Sequence, residues 1–218
     1  VAQEQEGGTK QELVSLFRAW RSFEIPPLQN GVPDYSEEAF DLRWNTFLEL
    51  KTTLDEMQKD KWTVSQQVDW HLLWAEMNGY IFNYKVLKPW QRDPAYYKSI
   101  WTYKSDVPAH EGPTNHAITE LWQYTFPLDK KSSVRLMESL KLIPLLQEQA
   151  KRNLTGNARD LWVTGIRDIK EQIEVLESIR ANAGVAEDDE LSTSINNAIV
   201  STEQFVAWLT SQIPNKNG

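Results

Sequence analysis

Apolar residues recur at intervals of three and four along nearly the whole chain, and strict alternation is almost absent. That period matches the helical turn and not the two-residue repeat of a strand. The chain therefore reads as all-α, with prolines and glycines marking where helices stop.

Thr9 and Glu12 have capping-box spacing, which predicts a first helix from Thr9 and makes residues 1–8 a disordered lead. Leu13, Leu16, Phe17, Trp20 and Phe23 form one apolar face, and Pro26-Pro27 ends it. Residues 29–33, with Asn30-Gly31, read as a loop. Ser36 caps a second helix through Phe40, Trp44, Phe47, Leu48, Leu54 and Met57 to about Asp60. Thr63 and Gln66 open a long third helix, with Val68, Leu72, Leu73, Trp74, Ile81 and Phe82 on or near its buried side. Gly79 inside that helix costs about 1 kcal/mol relative to alanine and suits close packing of a neighbour. Residues 88–94 break the pattern; Asp93-Pro94 then fits a cap and first position of a short helix through Trp101. Residues 105–115 are irregular, and another short helix is expected over 115–124.

Asp129 caps the next helix, and Pro144 should kink or split it. Leu161, Trp162, Ile166, Ile169, Ile173, Leu176 and Ile179 make a strong stripe that Ala183-Gly184 closes. A last helix runs to Pro214 and should pair with its predecessor as an antiparallel hairpin. The sum is a multi-helix bundle of roughly seven to nine helices, several of them long. No boundary, repeat or low-complexity stretch shows, so residues 9–213 read as a single helical domain and 214–218 as a tail.

The 218 residues carry 23 Lys and Arg against 31 Asp and Glu, a formal net charge of −8. An acidic surface repels phosphate backbones, which argues against nucleic acid as a partner. Lys85, Lys88, Arg92, Lys98 and Lys104 are spread too thinly to change this and read as a solvated face. There is no cysteine, so thiolate nucleophiles, disulfides and Cys-held metals are excluded. No apolar run reaches the roughly 18 residues of a membrane span. The chain starts at Val1, which fits either an exported protein whose signal has been removed or some other trimming. Export to the periplasm or the medium is the expectation, with the cytoplasm as alternative.

Motifs for chemistry are missing. His110-Glu111-Gly112-Pro113-Thr114 is the nearest approach to the His-Glu-x-x-His of a zinc helix, but Thr114 stands where the second imidazole should, and Gly112-Pro113 prevents a helix. A loop metal held by His110, Glu111 and His116 is geometrically open, yet hydrogen-bonded loop residues are the preferred reading. His71, between Trp70 and Trp74, reads as a satisfied helical histidine. No nucleophile elbow or phosphate-cradling glycine loop occurs. The ten tryptophans are the most unusual feature. Trp20, Trp44, Trp74 and Trp208 follow the apolar stripes and read as core, whereas Trp90 lies in a helix break beside Arg92 and could join the core or line a cleft.

Several ordered phrases carry a family resemblance. They are Val68-Asp69-Trp70-His71-Leu72-Leu73-Trp74-Ala75-Glu76-Met77-Asn78-Gly79; Val86-Leu87-Lys88-Pro89-Trp90-Gln91-Arg92-Asp93-Pro94-Ala95-Tyr96-Tyr97; Ser105-Asp106-Val107-Pro108-Ala109-His110-Glu111-Gly112-Pro113; and the run from Ile143-Pro144-Leu145-Leu146 to Asn153-Leu154-Thr155-Gly156-Asn157-Ala158. Over residues 36–179 the chain resembles the N-terminal region of the bacterial family catalogued as domain of unknown function 885. The resemblance implies a long helical protein, often exported and similar to zinc metallopeptidases, whose C-terminal half carries a His-Glu-x-x-x-x-His-like zinc helix.

No stretch here matches that helix, so no catalytic or metal residue carries over. The chain itself is expected to hold no cofactor, with zinc belonging to the longer protein. On this reading the partners are the remaining C-terminal part of the same polypeptide and a peptide substrate. Substrate contacts fall to Trp90, Arg92, His110, Glu111 and His116, in the two irregular segments. The rival expectation is a stand-alone helical module that binds a peptide, sugar or protein.

Overall fold

A computed structural model describes residues 2–104, 115–186 and 189–218, and side chains from residue 10 onward. The fold is all-α: α1 (Ala2–Glu24), α2 (Glu37–Asp55), α3 (Val64–Phe82), a single turn α4 (Pro89–Arg92), α5 (Lys130–Leu140), α6 (Leu142–Asn153), α7 (Arg159–Asn182) and α8 (Glu190–Gln212). The strands among the described residues are four dipeptides. Leu28–Gln29 (β1) and Val32–Pro33 (β2) form an antiparallel hairpin, while Ile100–Trp101 (β3) and Thr119–Glu120 (β4) pair in parallel. No helix among the described residues is long and apolar enough to cross a membrane.

Although the sequence marks no boundary, the chain divides into two compact units. One comprises residues 1–27 and 36–88, the other residues 28–35 and 89–218. The junction at residue 88 has a local cause. A π-helical turn, Asn83–Leu87, follows α3, and Lys88 then takes a left-handed conformation (φ +44°) that no helix can continue through.

In the first unit, α1, α2 and α3 enclose Leu13, Leu16, Trp20, Phe47, Leu54, Trp70, Leu73 and Met77. Indole N–H groups find partners there. Trp70 Nε1 donates to the Leu54 carbonyl (2.8 Å), and Trp20 Nε1 to Glu76 Oε2 (3.0 Å). The Thr63–Gln66 capping box forms as the spacing requires. Helix α1 begins upstream of Thr9, so the expected lead is helical; Gln3 to Glu6 are residues with good intrinsic helix propensity. Helix α2 stops at Asp55, short of Asp60. A larger correction concerns α3. Trp70, Leu73 and Met77 face the core, whereas Val68, Leu72, Trp74 and Phe82 are exposed. The stripe at 70, 73 and 77 is the one α1 and α2 cover.

In the second unit, Leu136, Leu140, Ile143, Leu176, Ile179, Ile195 and Ala198 form the core of α5 to α8. The expected C-terminal hairpin is present. Trp162, early in α7, meets Trp208, late in α8, with ring centroids 5.8 Å apart, and Arg180 reaches Asn196 Oδ1 (3.3 Å) at the other end. Pro144 splits its helix at Lys141. Proline clashes with the carbonyl four residues back, that of Leu140, so α5 ends there and α6 restarts with Pro144 in its first turn.

The C-terminal residues are not a loose tail. Ala158 supplies no side-chain cap to α7, and the carbonyls of Asn217 and Gly218 accept from the Arg159 and Asp160 N–H groups instead (both 3.3 Å). Lys216 donates to the Gly156 carbonyl (2.8 Å) and stands 4.1 Å from the Trp162 ring centroid.

Gly165 lets α7 pack closely against the turn at Pro94–Tyr97. A Cβ at this position would lie 2.8 Å from the Ala95 nitrogen and 2.9 Å from Pro94 Cβ. Gly165→Ala should therefore cost about 1–3 kcal/mol despite alanine's better helix propensity, read as a lower urea midpoint at unchanged slope.

Candidate functional site

Three irregular segments of the second unit, 28–35, 89–100 and 115–120, are gathered by side-chain amides. The Asn30-Gly31 pair takes left-handed φ values of 54° and 85°, the tight turn this dipeptide favours between two strands, and so directs Tyr35 inward. Gln149 of α6 reads the returning backbone twice. Its Oε1 accepts from the Tyr35 N–H (2.8 Å) and its Nε2 donates to the Pro33 carbonyl (2.9 Å). One turn later, Asn153 Nδ2 donates to the Tyr35 carbonyl (3.0 Å) and to Tyr97 Oη (3.2 Å). Tyr97 Oη donates in turn to the Trp90 carbonyl (2.7 Å). Burial pushes the Tyr97 phenol far above its ordinary range, so it stays a neutral donor.

The third segment joins through Asn115 and Tyr35. Asn115 Nδ2 donates to the carbonyls of Tyr96 (3.0 Å) and Lys98 (2.9 Å), and its Oδ1 accepts from the Ala117 N–H (2.8 Å). The His116 N–H donates to Tyr35 Oη (2.5 Å). Gln172 of α7 accepts from the Ser99 and Ile100 N–H groups (2.7 and 3.2 Å), and the Thr119 N–H donates to the Ser99 carbonyl (2.7 Å).

These bonds explain two departures from the helical expectation. The short helix after Pro94 stops at Tyr97, because Gln172 and β4 take the backbone groups of residues 99 and 100. The helix expected over 115–124 shrinks to a 3-10 turn at Leu121–Gln123, because Asn115 bonds its own backbone two residues on.

Trp90 belongs to the core, at 4% exposure. Arg92 is half-buried, and its stem lies where only glycine fits beneath it. A Cβ on Gly156 would sit 2.6 Å from Arg92 Cγ, and the Gly156 N–H donates to the Gln91 carbonyl (2.8 Å). His116 is exposed. Its backbone and that of Trp90 are tied to the same pair of tyrosines, whose ring centroids are 6.4 Å apart. His110 and Glu111 lie outside the described residues. Among the described residues no three His, Cys, Asp or Glu side chains gather closely enough to hold a metal ion.

The residues that organise this region, Tyr35, Tyr97, Asn115, Gln149, Asn153 and Gln172, escaped the motif search. A signal existed for two of them: Gln149 and Asn153 are amides one turn apart beside the apolar stripe Ile143, Leu146, Ala150. The first unit holds a separate feature, a cleft of about 300 Å³ between α1 and α3 lined by Leu13, Val14, Phe17, Leu72 and Leu73, with Lys10, Asp69 and Glu76 at its polar margin.

The fold and this geometry define an all-α protein whose irregular segments are fixed by buried amides. Compared with protein-family models, with curated proteins and with solved structures, the chain finds no match.

Removing the central amide should be costly. Asn153→Ala leaves the Tyr35 carbonyl and Tyr97 hydroxyl short of a donor and is expected to lower stability by about 2–4 kcal/mol in chemical denaturation. Asp93 offers a pH test. Burial raises its carboxyl above the ordinary range, the Ala95 N–H it caps pulls it back, and the Asp168 carboxylate raises it further. Ionised Asp93 therefore costs stability. The cost is absent where the carboxyl is protonated in both folded and unfolded chains, and it grows as pH rises through the folded value. Asp93→Asn keeps a capping oxygen, so its stability relative to the parent should improve on going from about pH 3 to about pH 7. An unchanged difference would contradict this.

Proposed function

We propose that this chain is the N-terminal helical part of a zinc-dependent peptidase or related hydrolase, forms part of the substrate cleft, and is not catalytic alone. The observation that carries this reading is the set of ordered phrases by which the chain resembles the family named above. Two of them supply the amide network: residues 86–97 contain Trp90 and Tyr97, and residues 143–158 contain Gln149 and Asn153. Segments held to fixed positions by buried hydrogen bonds suit a wall that substrate must meet in one geometry. Zinc, held by the C-terminal part of the longer polypeptide, would supply an activated water. Of the five expected contact residues, exposed His116 and half-buried Arg92 are described with polar groups near enough to solvent to meet a peptide, while Trp90 shapes the wall from behind. The longer protein would be exported.

The α1–α3 cleft favours a second reading, a stand-alone helical module that binds a peptide, sugar or protein. The native reading frame separates the two. With added zinc, the 218-residue chain is expected to hydrolyse no peptide above background. The full product of an uninterrupted longer frame should hydrolyse peptides and lose that activity to a chelator. Turnover by the short chain alone, or a stop codon directly after Gly218, would contradict the proposal.

A further inference from the structure

In the second unit, β4 and α5 border a cavity of about 240 Å³ that the amide network does not use. Among the described residues its charged lining groups are two of opposite sign, Glu120 of β4 and Arg135 of α5. They form no ion pair with each other or with any other described residue. Neutral neighbours hold each in place. The Arg135 guanidinium lies 4.3 Å from the Tyr124 ring centroid and donates to the Gln123 carbonyl (3.4 Å). The Gln123 side-chain amide donates to Glu120 Oε2. Glu120 Oε1 and most of the guanidinium N–H groups are left available.

Two hydroxyls complete the wall. Thr119 is only 3% exposed, yet its hydroxyl bonds to nothing among the described residues. A buried hydroxyl without a partner is costly, and one on a cavity wall can recover that cost by bonding a ligand. Ser139, one turn beyond Arg135 on α5, gives its proton to the Arg135 carbonyl (3.1 Å), so toward a ligand it accepts. Half-buried Ile118 and Tyr124 add apolar surface. These groups suit a small molecule that carries both charges. Glu120 repels a lone carboxylate or phosphate, and Arg135 repels a lone ammonium. A peptide end brings one charge, because its other backbone group is an amide. A free α-amino acid brings both on one carbon. We infer that this cavity binds a free α-amino acid with an apolar side chain. Its carboxylate meets Arg135 and Thr119, its ammonium meets Glu120 and Ser139, and its side chain lies against Ile118 and Tyr124. This inference is independent of the hydrolase reading.

Calorimetric titration of the 218-residue chain with L-leucine, L-methionine and L-phenylalanine tests it. At least one is expected to bind with a Kd below about 1 mM. The N-acetyl and amide derivatives of that amino acid each lack one charge and should bind at least about tenfold more weakly. Arg135→Gln should also weaken binding about tenfold or more, and the exposed position of Arg135 should leave the helical circular dichroism unchanged. Thr119→Val removes a hydroxyl that bonds to nothing among the described residues. It should therefore leave the thermal midpoint no lower than the parent's, while weakening binding about threefold or more. No binding of any of the three amino acids at about 10 mM overturns the proposal. Derivatives that bind as well as the parent amino acid overturn the need for both charges. Binding that is indifferent to Arg135→Gln or to Thr119→Val overturns this cavity as the site.

Discussion

Gln149 and Asn153 stand one turn apart on α6 and between them bond both faces of the backbone at residues 33–35. Buried peptide groups cannot be left without partners, and a chain that leaves helix inside a packed unit needs donors and acceptors from somewhere. Here they come from side-chain amides, each of which can give and accept at once. The hairpin, the segment around Trp90 and the segment around His116 depend on that supply. With the amides removed, those backbone groups would be unpaired in the interior or drawn out to water, and the tyrosines at 35 and 97 would lose the bonds that orient them.

This arrangement bears on function through rigidity. Segments without regular structure are where proteins carry most of their recognition chemistry, and they work best when a rigid scaffold fixes them. In the second unit the scaffold is the α5–α8 core, and the fixing is done by amides rather than by ionisable groups. A network of neutral donors and acceptors holds its geometry across a wide pH range, and burial keeps the Tyr97 phenol far above its ordinary range. On the proposal above, such a wall would position a substrate for chemistry carried by polypeptide beyond this chain.

The sequence makes the helices legible because their signals are local. Caps at Ser36, Thr63 and Asp129 form as their spacings indicate, and Pro144 divides its helix. The last two helices pair as their stripes require. What the sequence conceals is mostly decided by partners far along the chain. Whether Trp90 is core or cleft depends on packing that no local pattern contains. The helices expected after Pro94 and after Asn115 yield to bonds from Gln172, 73 residues beyond Ser99, and from Asn115 itself. On α3 two apolar stripes compete, and periodicity alone does not tell which one α1 and α2 cover. In sequence Gln149 and Asn153 are polar residues of a helix like any others, since their task exists only once the hairpin folds back on them.

Native-state hydrogen exchange addresses the central claim directly, because the amides in question belong to segments without helical bonding. If the network fixes these segments, the N–H groups of Tyr35, Ser99 and Ala117 open only with the unit as a whole, and their protection matches that of Ile179 and Ile195 in the core. Exchange at those three positions on the timescale of an exposed loop, with the core still protected, would show that the amides do not hold the segments in place.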